Sequence, residues 1–181
     1  MGKKIVVITG SPRKGGNSFA MTDAFINAAE AKGHTVTRFD AAMQKVGGCH
    51  SCETCFKSGK ACSYDDDFNK IAPFILEADV VVFTTPVYWY TFPAQIKGVI
   101  DRLYSFCIAG KDIYNKQCAL ITCCEEKDMS AMDGVRMPYE KTIALLKWKS
   151  IGEVLVPGVL NEGDVDKTDG CKQAAALVDK I

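Results

Sequence analysis

The sequence carries no excess of either charge. Lys+Arg number 22 and Asp+Glu number 22, for a formal net charge of +0. Binding through nucleic-acid phosphates draws on a positive excess, so no nucleic-acid partner is expected. Long apolar runs are also missing. The longest are as short as Val80 to Phe83, whereas a membrane-spanning helix needs about 20 residues. No membrane partner is expected. Between Met1 and Gly10, two lysines precede a run of only four apolar residues, Ile5 to Ile8. That run is too short for a secretory leader, so a cytoplasmic setting is expected. Internal repeats and low-complexity linkers are absent. Residues 1–181 read as a single domain.

Cysteine, by contrast, is abundant. Nine cysteines in 181 residues is about 5%, below the ~8–10% of a disulfide scaffold but high for a cytosolic domain. The number is odd, and four fall between Cys49 and Cys62. In a reducing compartment such a cluster points to metal, iron–sulfur or redox chemistry.

Hydrophobic patterning alternates between two periods. Ile5–Ile8, Val80–Phe83 and Cys118–Ile121 are short continuous runs, as expected of strands buried on both faces. Val154–Val156 is a further strand, and His34–Phe39, being partly polar, suits a sheet edge. Between them run helical stripes. Met21, Phe25 and Ala28 lie on a helix capped by Asn17 or Ser18 and ended by Gly33. Asp65-Asp66-Asp67 heads a helix with Phe68, Ile71 and Ile75. Pro93 opens one with Ile96, Ile100 and Leu103. Tyr139, Ile143 and Leu146 mark another, and Asp169–Ile181 a closing helix. The βαβαβαβαβα order demands a parallel sheet with right-handed crossovers. The expected class is α/β, a flavodoxin-like doubly wound five-stranded sheet of order 2-1-3-4-5 in three α/β/α layers. Ligands of such sheets sit at the carboxyl ends of the strands, here the loops 10–18, 84–92 and 122–133.

The first of these loops is Gly10-Ser11-Pro12-Arg13-Lys14-Gly15-Gly16-Asn17-Ser18. A helix N-terminus with hydroxyls, an amide and two cations is an anion site. It is not a Walker A loop, because Gly16 and Asn17 stand where Lys and Ser/Thr are required. A terminal phosphomonoester fits best. Gly10-Ser11-Pro12-Arg13 with Gly16-Asn17-Ser18 resembles the phosphate loop of NAD(P)H-dependent FMN reductases, a flavodoxin-like family. The resemblance covers roughly residues 3–122 and implies FMN phosphate at Ser11, Arg13, Lys14, Asn17 and Ser18.

The second loop, Thr85 to Thr91, sets Tyr88, Trp89 and Tyr90 side by side. Consecutive aromatics cannot all face one core, and a flat ring needs such a wall. The resemblance makes Pro86, Val87, Tyr88 and Trp89 neighbours of the isoalloxazine. In the third loop it brings Thr122 and Cys123 to the ring, with Cys123 and Cys124 open to either packing or redox roles.

Cys49-x₂-Cys52-x₂-Cys55-x₆-Cys62 is the sharpest metal-type pattern. Overlapping C-x₂-C spacing suits a loop wrapped around a cubane, and Gly47, Gly48 and Gly59 give it turning freedom. The spacing resembles that of iron–sulfur flavoproteins. Three states stay open for this insertion at about 45–66: a [4Fe–4S] cluster, zinc, or free thiols or a disulfide.

The resemblance implies an oxidoreductase in which NAD(P)H reduces FMN, and FMN reduces a quinone, flavin or other small-molecule acceptor. It requires no catalytic acid or base, and a homodimer or homotetramer fits it. Two other classes compete. One is an electron carrier exchanging electrons with ferredoxin-type partners, against which the neutral charge speaks. The other is a flavin-free thiol or zinc redox sensor. The residues beyond about 122 are expected to add fold but little chemistry.

Overall fold

A computed structural model describes residues 2–181. Five strands form one sheet: β1 (Lys4–Thr9), β2 (Thr35–Asp40), β3 (Val80–Pro86), β4 (Gln117–Cys123) and β5 (Lys149–Val156). Their order is β2-β1-β3-β4-β5 and every pairing is parallel. This is the order expected from the βα alternation. β1 and β3 are central and almost wholly buried, which is why their sequences are apolar without alternation. β2 is an edge and correspondingly half-polar.

Side chains of successive strand residues enter opposite layers. Val6, Ile8, Val81, Phe83 and Leu120 meet helices α2 (Phe68–Glu77), α3 (Ala94–Arg102), α4 (Tyr104–Ile108) and α5 (Asp133–Leu146). Ile5, Val7, Val80, Val82 and Ile121 meet α1 (Asn17–Ala31) and α6 (Gly170–Ala176). Met21, Phe25 and Ala29 of α1 and Phe68, Ile71 and Ile75 of α2 are fully or almost fully buried. Each such large apolar side chain contributes about 1.5–3 kcal/mol. Among the described residues no helix is long and apolar enough to cross a membrane.

The structure corrects three local expectations. Gly16, not Asn17 or Ser18, occupies the cap position of α1, because the Asn17 side chain is engaged elsewhere. The stripe Ile96–Leu103 does not continue smoothly: α3 ends at Arg102 and the chain re-enters a short helix, α4. The closing helix breaks after Ala176 into a 3-10 turn, Leu177–Lys180.

Candidate functional site

The carboxyl ends of β1, β3 and β4 converge on one cavity of ≈ 400 Å³. This lies within the ~300–1,000 Å³ typical of cofactor sites. Its first wall is the loop leaving β1. There the chain passes so close to β3 that a methyl group on Gly10 would overlap the Thr85 hydroxyl. The Ser11 hydroxyl accepts the Arg13 amide at 3.1 Å and donates to the Arg13 carbonyl at 3.3 Å, closing a tight turn. The chain then enters α1 with the amides of Asn17 and Ser18 lacking a helical acceptor or any other described one. Arg13 and Lys14 are exposed and form no ion pair with a described residue. Free amides at the positive end of a 15-residue helix, beside an unpaired guanidinium, make an anion cradle.

Ser11, Arg13, Asn17 and Ser18 all line the cavity, whereas Lys14 does not. The Asn17 side chain turns away from it. Its amide donates to the Asn161 carbonyl at 2.9 Å and its oxygen accepts the Val165 amide at 3.1 Å. Only its backbone amide is left for an anion. Asn17 thus ties the phosphate-type loop to a C-terminal segment 144 residues away.

The second wall is a hairpin. Tyr88 and Thr91 exchange backbone hydrogen bonds of 2.9 and 3.0 Å around Trp89 and Tyr90. Both central residues are left-handed, at φ 46° and 63°. Such a two-residue turn normally selects Asn-Gly, and an L residue there costs about 1–2 kcal/mol. The strain persists because the hairpin is clamped. Thr91 Oγ1 donates to the Gly134 carbonyl at 2.8 Å, and a methyl on Gly134 would overlap the Tyr90 carbonyl oxygen. The result is an indole that is 94% exposed at the cavity mouth. Pro86, Val87, Tyr88 and Trp89 all line the cavity.

Cys123, the last residue of β4, and Cys124 after it supply the floor, while Thr122 lies outside the lining, buried, with its hydroxyl unpartnered. Burial pushes the Cys123 thiol up to about 12. Burial likewise raises Cys124, whose Sγ donates to the Glu126 carbonyl at 3.3 Å. Both are neutral thiols near neutral pH.

Glu125 of the third loop also lines the cavity, and Val159, Leu160 and Glu162, which the sequence did not point to, complete the lining, so the C-terminal third contributes directly to the site. Glu162 rests against Gly15, where any side chain on the glycine would strike its carboxylate. No motif marks this segment. The one available signal was Asn17, a polar residue at a buried helix start that needs distant partners.

The second cluster lies in the loop between β2 and α2, which packs through Phe56, Ala61 and Cys62 onto the α2, α3 and α4 layer. Cys49, Cys52, Cys55 and Cys62 line a single small cavity with His50, Tyr64, Arg102, Tyr104 and Ser105. The loop is anchored at both ends. The Asp66 carboxylate accepts the Gly47 amide at 2.9 Å and Asp67 accepts the Lys45 amide at 2.7 Å. Asn69 accepts the Cys62 amide and donates to the carbonyls of Cys62 and Tyr64. The acidic triplet therefore clamps the loop as well as heading α2, where Asp66 accepts the Phe68 amide at 3.1 Å. Gly59 turns at φ 81°, but Gly47 and Gly48 do not take positive φ; Ser51, Glu53 and Phe56 do, at 50°, 55° and 60°.

All nine thiols are unpaired in this structure. Among the described residues, no group of three or more His, Cys, Asp or Glu stands in ion-holding geometry. The Cys52 thiol is lowered, chiefly by its 3.0 Å hydrogen bond with Thr54. Burial raises Cys55, with smaller contributions in the same direction from the neighbouring Cys62, Cys52 and Cys49.

Comparison with known proteins adds to this geometry. The family model described as NADPH-dependent FMN reductase matches residues 3–136. An iron-sulfur flavoprotein of Archaeoglobus fulgidus is 36% identical over 103 residues, 57% of this chain and 46% of that protein. One from Methanosarcina thermophila is 33% identical over 99 residues, 55% of this chain and 51% of that protein. The chain spans about half the length of the curated relatives it matches. Among solved structures, an azoreductase from Bacillus anthracis superposes with TM-score 0.74 at 22% identity, covering 99% of this chain and 100% of that one. That likeness supports the flavodoxin-like fold.

Proposed function

Because the chain belongs to the NADPH-dependent FMN reductase family, we propose that it is an FMN-dependent oxidoreductase passing electrons from NAD(P)H to a small-molecule acceptor such as a quinone or flavin. The observation that carries this reading is the convergence of an unpaired anion cradle and a strained aromatic hairpin on one cavity of ≈ 400 Å³. The residues fit the group. The orphan amides of Asn17 and Ser18, the hydroxyls of Ser11 and Ser18, and Arg13 would hold the phosphate, with Lys14 adding to the field from outside the lining. Pro86, Val87, Tyr88 and Trp89 would flank the ring, with Cys123 lining the end of β4 and Thr122 supporting it from behind.

FMN when bound accepts a hydride and returns electrons singly or in pairs. The chain's own part is to bind, orient and exclude water. Val159 and Leu160 form an apolar side of the cavity. The raised Cys123 and Cys124 thiols stay uncharged, so the floor carries no thiolate facing the ring. No side chain of the site is needed as an acid or base.

The cysteine cavity favours a second role within this reading. Four thiols lining one cavity together with two buried, unpartnered donors, Arg102 Nε and Ser105 Oγ, suit a [4Fe–4S] cluster held by Cys49, Cys52, Cys55 and Cys62. A cluster would let the protein exchange electrons with a ferredoxin-type partner. Residues 1–181 act as one unit with the insertion at about 45–66, in the cytoplasm, as a homodimer or homotetramer. The exposure of Trp89 and Tyr90 favours such association.

The test is titration with FMN and with riboflavin, followed by flavin fluorescence, for the wild type and Arg13→Ala. FMN binding that weakens about tenfold in Arg13→Ala, with riboflavin unaffected, supports the phosphate assignment through a lost charge-assisted contact. NADPH and NADH oxidation by the FMN-loaded protein, with and without a quinone, tests the activity.

A further inference from the structure

The cysteine cavity has a back wall that the four thiols leave unexplained. Arg102 ends α3, and Ser105 follows three residues later in α4. Both line the cavity with Cys49, Cys52, Cys55 and Cys62. Each is only 3% exposed. Each carries a buried polar atom without a partner among the described residues, Arg102 Nε and Ser105 Oγ. Buried donors are almost always paired, and two orphans on one wall call for an acceptor.

The rest of Arg102 is already fixed. Its Nη1 pairs with Asp66, whose carboxylate also takes the amides of Gly47 and Phe68. Its guanidinium lies 5.4 Å from the centre of the Phe68 ring. The guanidinium is therefore fixed by Asp66 and Phe68 and not by the cysteines. Ser105 is held by α4, its carbonyl accepting the Ala109 amide at 3.2 Å. Neutral thiols are weak acceptors, whereas thiolate and sulfide atoms bearing negative charge accept strongly. Arg102 and Ser105 are three residues apart in nearly continuous helical backbone, with Leu103 between them at φ -56° and ψ -26°, so both face the same cavity.

We propose that Arg102 Nε and Ser105 Oγ donate hydrogen bonds to the sulfurs of the group held by the four cysteines, and that they raise its reduction potential. This rests on the reading that those cysteines hold an iron–sulfur cluster. Adding one electron would make the whole group one charge more negative, part of it on the sulfur atoms, so fixed donors would stabilise the reduced form more than the oxidised form. The two residues are positioning and tuning groups and ligate no iron.

The experiment uses the full chain, reconstituted without oxygen with ferrous iron and sulfide, as wild type, Ser105→Ala and Arg102→Lys. Iron and sulfide per chain are measured first. The midpoint potential is then read by a dithionite titration with redox mediators, followed by electron paramagnetic resonance. Each variant keeps its iron and shifts the one-electron equilibrium about tenfold toward the oxidised form, a potential about 59 mV lower. Arg102→Lys retains the charge facing Asp66 but loses the Nε donor, which separates the hydrogen bond from the charge. Iron-free Ser105→Ala unfolds at a temperature no lower than the wild type, because an orphan hydroxyl has been removed. A wild type that takes up no iron overturns the cluster reading and the inference with it. A loaded wild type whose potential is matched by both variants overturns the inference alone.

Discussion

Replacing Trp89-Tyr90 by Asn-Gly should make the protein more stable and a poorer flavin binder. Both residues sit in left-handed backbone at φ 46° and 63°, where an L residue costs about 1–2 kcal/mol and Asn or Gly far less. Relieving both positions gains about 2–4 kcal/mol by that figure. Against this stand two losses. Trp89 is 94% exposed and gives up almost no burial, but Tyr90 is 56% exposed and gives up part of its own. That loss is about 1 kcal/mol, and the new glycine adds about 0.5–1 kcal/mol of unfolded-state entropy. The net gain is about 1 kcal/mol, or about 2–4 °C in melting temperature for a chain of this size. Thermal unfolding of the flavin-free protein measures it. On the same variant, FMN affinity should fall about tenfold through loss of the aromatic wall. A variant that melts lower while binding FMN as tightly as the wild type would refute the argument that the hairpin stores strain to present its rings.

Other predictions follow from neighbouring features. Gly134→Ala, a change that ordinarily favours a helix by about 1 kcal/mol, should instead lower stability and FMN affinity because its methyl displaces the Tyr90 carbonyl; fluorescence titration and thermal melting check both. Burial pushes the Asp66 carboxyl up, but the Arg102 hydrogen bond and the amides of Gly47 and Phe68 outweigh it and hold the group below the usual carboxylate range. Its folded pKa is thus depressed, so its contribution is present above about pH 4 and fades as pH falls through the folded value. Asp66→Asn should therefore cost about 3 kcal/mol at pH 7 by stranding Arg102 and should flatten the acid limb of stability against pH, read by denaturant midpoints between about pH 3 and 7. In the iron-free protein, iodoacetamide followed by mass spectrometry should modify exposed Cys52, lowered by Thr54, well before Cys118 and Cys123, which burial pushes up to about 11 and about 12. Uniform labelling would contradict the assigned environments.

The sheet was legible because it is doubly covered. Ile5–Ile8 and Val80–Phe83 are apolar without alternation, and only a parallel sheet with helices on both faces makes that pattern economical. The loop after β1 was legible as a cavity wall because Gly10, Arg13 and Gly16 to Ser18 fall within one nine-residue stretch that follows a strand and opens a helix. The break between Arg102 and Tyr104 was not, since Ile96, Ile100 and Leu103 keep helical spacing across it. Tertiary packing of Phe106 against Phe56 and Phe68 accompanies the turn there. The contribution of Val159, Leu160 and Glu162 was also hidden, because it depends on the tether from Asn17 to Asn161 and Val165. Trp89 and Tyr90 were expected as a wall, but their left-handed backbone has no signature in a Trp-Tyr pair.

The central claim is that the cavity between the anion loop and the aromatic hairpin holds FMN. The most direct measurement is the absorption spectrum of protein purified without oxygen, with flavin and iron assayed on the same sample. Flavin bands with about one FMN per chain, retained or regained on adding FMN, are the predicted result. A broad additional shoulder near 400 nm with about four irons per chain would add the cluster. Colourless protein that stays flavin-free after FMN is added would contradict the account.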